Sequence, residues 1–505
     1  MSQTNLYSVL RTGFSYDLSR VALETPQRSY SFQDLEAGSA RVANYLTSLQ
    51  LPPGARVAVQ VEKSPEALML YLGTLRAGLV YLPLNTAYRE TEVAYFLGDA
   101  EPAVVVCSGK NYSWVAQLAQ KQHGCRVLTL EEDGSGSLTD AIAGLSSEFE
   151  TVQCSPDTLA VILYTSGTTG RSKGAMLSHK NMIANAQVLN TYWGWQSDDV
   201  LLHMLPIFHV HGLFVAAHGA LLAGARTIWL PKFDLEQALH YLPRSTVMMG
   251  VPTFYVRLLA DARFSRDICR SMRLFISGSA PLLTDTFESF QTRTGHTILE
   301  RYGMSETVML TSNPYLAAEG PRLGGTVGKP LPGVSVRVVD DQLLPVAQGD
   351  ISHIQVRGDN VFSGYWRMPE KTKEEFTPDG WFRTGDMGRW DEHGYLVIVG
   401  RSKDLIISGG FNIYPKEIES IIDDMPGVAE SAVVGVPHAD FGEAVVAVVV
   451  PREGATLDAG QIQAALKAGI ANFKVPKKVH VVTELPRNTM GKVQKNVLRE
   501  QFKAL

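Results

Sequence analysis

Cysteine is scarce in this chain of 505 residues, which has four cysteines and no C-x-x-C pair. The four are scattered, at Cys107, Cys125, Cys154 and Cys269. A disulfide framework or a cysteine zinc site is therefore not expected, and reduced thiols are the default. A secretory signal is not expected either, because residues 1–10 lack a basic stretch followed by an apolar core.

Long apolar runs and an excess of positive charge are missing as well. The most apolar stretch, residues 68–84, is interrupted by Arg76, Gly78 and Pro83, so it predicts a helix, a turn and a buried strand rather than a membrane span. The net charge is -5, which argues against nucleic acid as the main partner. We therefore expect a cytoplasmic protein that binds neither nucleic acid nor a membrane. Its length predicts at least two domains.

Helix and strand signals alternate in the first half of the chain. Ser64 and Pro65 suit the N-cap and the first position of a helix over 65–77, which Gly78 would end. Short apolar runs predict buried strands at 57–59, 104–106, 127–130 and 159–163. This alternation is typical of a layered α/β architecture with parallel strands.

The pattern changes twice in the second half. From Gly324 onward, short runs at 334–339, 351–356 and 394–400 predict strands of a small β-rich subdomain. After Arg401, the signals predict a compact α+β domain with helices at 415–424 and 457–471 and strands at 428–436 and 444–450. We therefore divide the chain into an N-terminal domain, residues 1–402, and a C-terminal domain, residues 403–505.

Residues 164–174 form a segment rich in glycine and hydroxyl groups, with the cations Arg171 and Lys173. Such a loop lets backbone N–H groups approach phosphate oxygens closely. The segment lacks the Walker spacing, because the fifth residue after Gly167 is Ser172 rather than glycine. By itself, this composition fits an ordinary turn as well as a phosphate-binding loop.

Further motifs follow in order at 301–307, 384–386, 400–404, 408–410 and 486–492. Together with the first loop they resemble the acyl-adenylate-forming superfamily, which includes acyl-CoA synthetases, nonribosomal adenylation domains and luciferases. The resemblance runs from about residue 31 to residue 495. It implies a large N-terminal layered α/β domain with a β-rich subdomain, and a small mobile C-terminal domain. It also implies that a carboxylate attacks the α-phosphate of ATP, and that the thiol of coenzyme A then displaces AMP.

The resemblance implies an ATP site assembled from several motifs. Glu306 would hold Mg²⁺, a cation that prefers carboxylate and phosphate oxygens. Asp386 would bind the ribose hydroxyls, Arg401 the ribose or the α-phosphate, and Tyr302 would stack on adenine. The remaining implied ATP ligands are Thr165, Ser166, Gly167, Thr168, Thr169, Gly170, Arg171, Ser172, Lys173, Gly278, Ser279, Ala280, Gly303 and Ser305.

The C-terminal motifs imply a domain that moves between the two steps. Lys492 would bridge the carboxylate and the α-phosphate during adenylation, which also makes it a target for lysine acylation and deacylation enzymes. Lys403 matches the hinge of the superfamily. Coenzyme A would pass along Ser408, Gly409 and Gly410. The lysines Lys474, Lys477 and Lys478 would meet its phosphates or form a solvated basic face.

The acid substrate is indicated by Arg301 and by the segment 206–212. The resemblance makes His209 a catalytic gate beside the acid and places Val210, Met309 and Ser279 around it. A buried arginine needs a partner. Either Glu300 or another acid supplies it, or the substrate brings a second carboxylate. The run 300–306 closely resembles malonyl-CoA synthetases, so we expect malonate, with tolerance for methylmalonate. The alternatives are a synthetase for another small or aromatic acid and an adenylation module that loads a carrier-protein thiol.

Overall fold

Helices and strands alternate through most of the chain. The computed structural model describes residues 4–14, 17–122, 124–165, 172–408, 411–438, 441–488 and 491–503. The α-helices in these ranges are α1 (Leu6–Arg11), α2 (Phe32–Ser48), α3 (Pro65–Arg76), α4 (Glu90–Ala100), α5 (Gly109–Gln122), α6 (Ser137–Ile142), α7 (His179–Tyr192), α8 (His218–Ala223), α9 (Leu235–Tyr241), α10 (Pro252–Ala260), α11 (Thr284–Thr294), α12 (Pro369–Glu375), α13 (Pro415–Asp423), α14 (Ala459–Gly469) and α15 (Lys495–Gln501).

The strands belong to four sheets. They are β1 (Val21–Glu24), β2 (Ser29–Ser31), β3 (Arg56–Gln60), β4 (Val80–Pro83), β5 (Val104–Cys107), β6 (Arg126–Thr129), β7 (Leu159–Thr165), β8 (Lys173–Ser178), β9 (Val200–His203), β10 (Arg226–Trp229), β11 (Val247–Gly250), β12 (Leu274–Ser277), β13 (Ile298–Met304), β14 (Val308–Ser312), β15 (Lys329–Pro330), β16 (Val334–Val339), β17 (Ser352–Gly358), β18 (Gly364–Tyr365), β19 (Phe382–Trp390), β20 (Leu396–Arg401), β21 (Ile406–Ser408), β22 (Phe411–Ile413), β23 (Val428–His438), β24 (Gly442–Pro451) and β25 (Lys478–Val481).

Two large sheets carry the first three quarters of the chain. One has nine strands in the order β15-β14-β13-β12-β11-β9-β10-β1-β2, and the other has seven in the order β18-β8-β7-β4-β3-β5-β6. The central pairs β9–β11, β11–β12, β3–β4 and β3–β5 are parallel. The helices that connect these strands cover their faces, as parallel sheets require. The predicted layered α/β architecture is confirmed.

Local signals set the ends of the connecting helices. Ser64 accepts a hydrogen bond from the backbone N–H of Ala67, and Pro65 occupies the first turn of α3. Ser31 caps α2 with a reciprocal bond to Asp34. The two helices pack along each other, where a Cβ at Gly73 would lie 2.5 Å from the Cβ of Val42. Glycine is therefore required for this close approach.

A smaller antiparallel sheet, β16-β17-β19-β20, follows the two large sheets. It forms the predicted β-rich subdomain and ends at Arg401. After a single 3-10 turn at Ser402–Asp404, the chain enters a separate sheet of β21 to β25, on which α13, α14 and α15 pack. The C-terminal unit has cores of its own, built mainly of valine from β23 and β24 and of isoleucine from β21, β22, α13 and α14.

The C-terminal unit contacts the large unit through exposed charges. The guanidinium of Arg452, just after β24, lies 3.2 Å from the carboxylate of Asp285 in α11, and both side chains are more than half exposed. Within the ranges listed above for the structure, no helix combines the length and the apolar content needed to cross a lipid bilayer.

Candidate active site

Strands β12 and β13 are parallel neighbours, so the segments that follow their paired residues lie side by side. Gly278, Ser279 and Ala280 follow β12, and Arg301 and Tyr302 lie on β13 where it turns to pair with β14. A Cβ at Gly278 would lie 2.4 Å from Cζ of Arg301. A Cβ at Gly303 would lie 1.8 Å from the backbone oxygen of Val308. Both glycines therefore permit backbone approaches that a side chain would block.

Asp386, Arg401 and Tyr302 form a polar cluster between the large sheet and the antiparallel sheet. Arg401 Nε lies 2.7 Å from Asp386 Oδ1, and the hydroxyl of Tyr302 donates to Asp386 Oδ2. Arg401 also donates to the backbone oxygen of Thr384 at 3.2 Å. Each carboxylate oxygen of Asp386 can accept a second hydrogen bond, because it has two lone pairs. The cluster therefore keeps acceptor capacity for the vicinal hydroxyls of a ribose.

Glu306 is buried beside this cluster. Its Oε1 accepts a hydrogen bond of 2.9 Å from the hydroxyl of Tyr365, and burial raises the pKa of Glu306. Lys173 Nζ lies 4.3 Å from the centre of the Tyr365 ring and 3.3 Å from Glu375 Oε1. A carboxylate that has one protein partner fits a Mg²⁺ ion held mainly by phosphate oxygens and water. Ser305 lies in the same turn, next to Glu306.

The two ends of the glycine-rich loop are fixed by the hairpin of β7 and β8, where Thr165 pairs with Lys173. The hydroxyl of Tyr95 donates to the backbone oxygen of Ser172 at 2.7 Å. The other candidate phosphate ligands in this loop lie outside the described residues: Ser166, Gly167, Thr168, Thr169, Gly170 and Arg171.

Arg301 is buried, with 5% of its surface exposed, and burial lowers its pKa to about 9. Its Nε and one terminal nitrogen have no hydrogen-bond partner in the described part of the chain. The neighbouring acid Glu300 accepts from the backbone N–H of Gly325 instead, at 3.1 Å, and burial raises its pKa to about 8. In the ranges that the structure describes, no carboxylate forms an ion pair with Arg301.

Two histidines face Arg301. Burial, and after it the charge of Arg301, lower the pKa of His209 to about 4 and also hold the pKa of His211 well below its ordinary value. The backbone N–H of His211 donates to Nδ1 of His209 at 3.3 Å, so Nε2 of a neutral His209 carries the proton. Nδ1 of His211 lies 3.3 Å from the hydroxyl of Ser279.

Val210 and Met309 are buried on the two segments that flank this group. Val210 directly precedes a π-helix at His211–Ala217. The backbone oxygen of Met309 accepts bonds of 2.9 Å from the side-chain amides of Asn185 and Asn360. His203 and His218, in contrast, make internal hydrogen bonds, with Lys63 and Tyr71 respectively.

Lys492 lies in the cleft between the two units. Its side chain is exposed, but protein on both sides of the cleft removes water from the ammonium and lowers the pKa of Lys492, and the charge of Arg401 acts in the same direction. Asp386 and Asp404 oppose this shift. The loop of Lys492 lines a cavity of about 310 Å³ whose walls include Pro206, Thr253, Arg257, Arg487, Asn488 and Gly491.

Lys403 and Ser408 lie at the start of the C-terminal unit. Burial, and then the charges of Arg401, Lys492 and Arg499, lower the pKa of Lys403 to about 8, although Asp404 opposes them. Ser408 pairs with Gly442 in the C-terminal sheet. Gly409 and Gly410 lie outside the described residues. Lys474 Nζ lies 2.6 Å from Glu417 Oε1, so Lys474 forms an ion pair within the C-terminal unit.

The sequence analysis missed the partners of several candidate residues. These partners are Tyr365 beside Glu306, Glu375 beside Lys173, and Tyr95 beside Ser172. They come from α4, β18 and α12, and no local spacing connects them to the motifs. In the sequence, only Gly364, which precedes the aromatic pair Tyr365 and Trp366, could have drawn attention to Tyr365. In the structure this glycine has φ of 141°.

Comparison with known proteins agrees with this geometry. Residues 15–366 match the family "AMP-binding enzyme", and residues 417–492 match "AMP-binding enzyme C-terminal domain". The chain is 33% identical to the malonate–CoA ligase of Arabidopsis thaliana, over 99% of this chain and 89% of that protein. It is 36% identical to the mitochondrial malonate–CoA ligase of Mus musculus, over 84% and 78% of the two chains.

A solved structure is similar over almost the whole length. The crystal structure of ATP-bound MatB from Rhodopseudomonas palustris is 56% identical and covers 99% of each chain, with a TM-score of 0.96. The apo form of that protein, at the same identity and coverage, gives a TM-score of 0.86.

Proposed function

The chain belongs to the AMP-binding enzyme family, and on that premise we propose that it joins malonate to coenzyme A through malonyl-AMP, with release of pyrophosphate and AMP. Methylmalonate is a second substrate in this proposal. ATP and coenzyme A are co-substrates, and Mg²⁺ accompanies the nucleotide.

One observation carries the choice of acid: Arg301 is buried with unused N–H donors and, among the described residues, has no carboxylate partner. A buried charge without a partner is costly. The second carboxylate of malonate supplies the missing acceptor as a charge-assisted pair. The neutral imidazole of His209, with Nε2 protonated, donates to the acid on the other side. Ser279, Val210 and Met309 bound the remaining space, so their volume limits the 2-alkyl group.

The nucleotide contacts are assigned from the polar cluster. Asp386 accepts from the ribose hydroxyls, Tyr302 lies against adenine, and Arg401 neutralises the α-phosphate. Glu306 would hold a Mg²⁺ ion, whose charge would reduce repulsion at the phosphates of ATP. When ATP binds, Lys173 leaves its ion pair with Glu375 and contacts a phosphate oxygen, because a triphosphate carries more negative charge than one carboxylate.

Lys492 is the adenylation residue in this proposal. Its ammonium lies close enough to Arg401 and Asp386 for their charges to shift its pKa, which supports a position beside the α-phosphate. There it stabilises charge on the transferring phosphoryl group. The higher TM-score to the ATP-bound form than to the apo form of the related structure supports this domain arrangement as the one used for adenylation.

The second step needs the C-terminal domain, residues 403–505, to rotate about Lys403. Rotation removes Lys492 and brings the segment of Ser408, Gly409 and Gly410 to the acid site. Coenzyme A then approaches along this segment. Phe411, which is exposed, stacks on the half-buried Phe473 beside this segment, with ring centres 4.4 Å apart, and offers an apolar surface for coenzyme A.

Two further proposals concern the cell. Acylation of Lys492 removes the charge that adenylation needs, so enzymes that add and remove acyl groups on lysine are proposed regulators. We also place the protein in the cytoplasm, a reducing compartment that suits its four scattered, free cysteines.

The test is a panel of mono- and dicarboxylates assayed for ATP-dependent pyrophosphate release, followed by thiol-dependent AMP release. Malonate is expected to lead the panel, and coenzyme A is expected to be the acceptor. Higher activity with an aromatic or monocarboxylic acid would contradict the choice of acid. Transfer to a phosphopantetheinyl carrier protein but not to coenzyme A would contradict the choice of thiol.

A further inference from the structure

The side chain of Lys63 is buried between the two large sheets. It follows β3 of the seven-stranded sheet, and its Nζ reaches the carboxyl ends of β9 and β10 in the nine-stranded sheet. Nζ lies 2.9 Å from the backbone oxygen of His203, 2.6 Å from that of Leu230 and 2.7 Å from His203 Nδ1. The ring of Trp229 lies 4.4 Å away. Its three hydrogen-bond contacts match the three donors of an ammonium.

None of these contacts is with a carboxylate, and no ion pair involves Lys63 within the part of the chain that the structure describes. A buried ammonium that has only neutral acceptors is costly. An apolar side chain of similar length would avoid that cost. The hydrogen bonds of Lys63 therefore indicate a role that an apolar side chain could not fill.

His203 extends the contact toward the acid pocket. Its Nε2 lies 2.8 Å from the backbone oxygen of Gly212. Because Nδ1 accepts from Lys63, a neutral His203 carries its proton on Nε2 and donates it to Gly212. Lys63, His203 and Gly212 thus form one continuous hydrogen-bonded chain.

Gly212 belongs to the first turn of the π-helix His211–Ala217. Such helices are rare and poorly stabilised by their own geometry, so tertiary contacts must hold them. A Cβ at Gly212 would lie 2.0 Å from the backbone oxygen of Pro206, so the loop before the helix closes tightly on this glycine. That loop carries His209 and Val210. The position of the Gly212 carbonyl therefore fixes the two residues that face the acid.

The far end of the π-helix has a separate anchor. The hydroxyl of Tyr71, in α3, lies 2.8 Å from Nε2 of His218. This bond also holds the helix to the segment that begins at Lys63, but it lies at the end away from His209. Removal of the Tyr71 hydroxyl therefore serves as a control, because it deletes a buried hydrogen bond to the same helix at a distance from the acid pocket.

We propose that Lys63 and His203 are positioning residues that hold the π-helix against the acid pocket and thereby set the selectivity between malonate and its 2-alkyl derivatives. The inference rests on the proposed function, whose acid pocket it extends. Neither residue is among those assigned above to the acid or the nucleotide, so their effect would pass through His209 and Val210.

Four variants test this inference. Lys63→Met removes the donors and keeps the length, and His203→Leu cuts the link to Gly212. His203→Gln keeps one acceptor and one donor, and Tyr71→Phe is the control. For each, kcat and KM are measured with malonate and methylmalonate, together with the KM for ATP and the melting temperature.

Lys63→Met and His203→Leu are expected to lower kcat/KM for malonate by about 10- to 100-fold, because the residues that contact the acid would be misplaced. They should also change the ratio of kcat/KM for malonate to kcat/KM for methylmalonate. The KM for ATP should change little. His203→Gln should restore most of the ratio, and Tyr71→Phe should keep it while lowering the melting temperature.

An unchanged ratio in folded Lys63→Met and His203→Leu proteins would overturn the inference and leave the pair as packing residues. If Lys63→Met does not fold, the two His203 variants decide the outcome. If the unaltered protein releases no pyrophosphate with malonate, the proposed function fails first, and the inference fails with it.

Discussion

Asp386 and Arg401 face each other across two antiparallel strands, with Arg401 Nε 2.7 Å from Asp386 Oδ1. Arg401 is the last residue of β20 and directly precedes the 3-10 turn that leads into the C-terminal unit. The charge of Asp386 is the largest influence on the pKa of Arg401 and raises it. A residue assigned to the ribose is therefore oriented by a residue that lies next to the boundary between the two units.

Replacement of Lys492 by alanine should affect the first half-reaction only. Malonate-dependent pyrophosphate release is expected to fall by about 100-fold or more, because the ammonium stabilises charge on the α-phosphate. Conversion of supplied malonyl-adenylate and coenzyme A to the thioester should remain close to normal. Equal loss in both half-reactions would contradict the role given to Lys492. Lys495→Ala is a matched control, since Lys495 pairs with Glu419 at 2.5 Å inside the C-terminal unit.

Replacement of Lys403 by proline should trap one domain arrangement. Lys403 lies in the 3-10 turn Ser402–Asp404, and proline restricts φ to a value compatible with such a turn. Pyrophosphate release is therefore expected to persist, while thioester formation fails. The two half-reactions are measured separately, with Lys403→Ala as the control for loss of the charge. Wild-type rates in both would show that the rotation does not pivot at this residue.

Replacement of Arg301 by leucine should reverse the preference among acids. A charge-assisted pair contributes about 1.5–3 kcal/mol, which corresponds to roughly tenfold to hundredfold discrimination. kcat/KM for malonate should fall by that factor or more, and butyrate should gain relative to malonate. Arg301→Lys should rescue little, because an ammonium lacks the planar fork. If malonate and butyrate lose activity equally, Arg301 is a packing residue.

The preference for malonate should also depend on pH. Burial lowers the pKa of Arg301 to about 9, so its positive charge is present below that pH and is lost as the pH rises through it. The ratio of kcat/KM for malonate to that for butyrate is expected to fall from about pH 8 to about pH 10, and the ratio for Arg301→Leu should stay flat. Lys492 acts on the carboxylate that both acids share, so its titration cancels in the ratio.

The free energy of unfolding should change in the opposite direction over this interval. Above pH 9 the unfolded chain binds more protons at this residue than the folded protein does, because its unfolded pKa is the higher one. The contribution of Arg301 to stability therefore rises with pH. Denaturant unfolding of the wild type and of Arg301→Leu, each across the same pH range, separates this contribution from those of other residues.

Local signals in the sequence were enough for elements whose ends are set locally. Ser64, Pro65 and Gly78 gave the ends of α3 to within a residue, because capping depends on neighbouring backbone groups. The motifs indicated Tyr302 and Asp386 only through resemblance, since 84 residues separate them before the fold brings them together.

Other features had no local signature. Nothing in the sequence around Lys63 indicates that it is buried. It is buried because the two large sheets pack against each other there, which brings it next to His203, 140 residues away. The π-helix at His211–Ala217 is equally hidden, because a short, continuously apolar segment predicts a buried element without specifying its helical period.

The contact between Arg452 and Asp285 has a consequence for turnover. Exposed ion pairs contribute about 0.2–1 kcal/mol, and salt screens them over about 10 Å at moderate ionic strength. The ion pair between Arg452 and Asp285 therefore contributes little to the association of the two units, and it breaks at little cost in free energy. In the proposed cycle the two units part and rejoin once per turnover, so a stronger contact here would slow that cycle. The balance between the two half-reactions should accordingly respond to the salt around the protein.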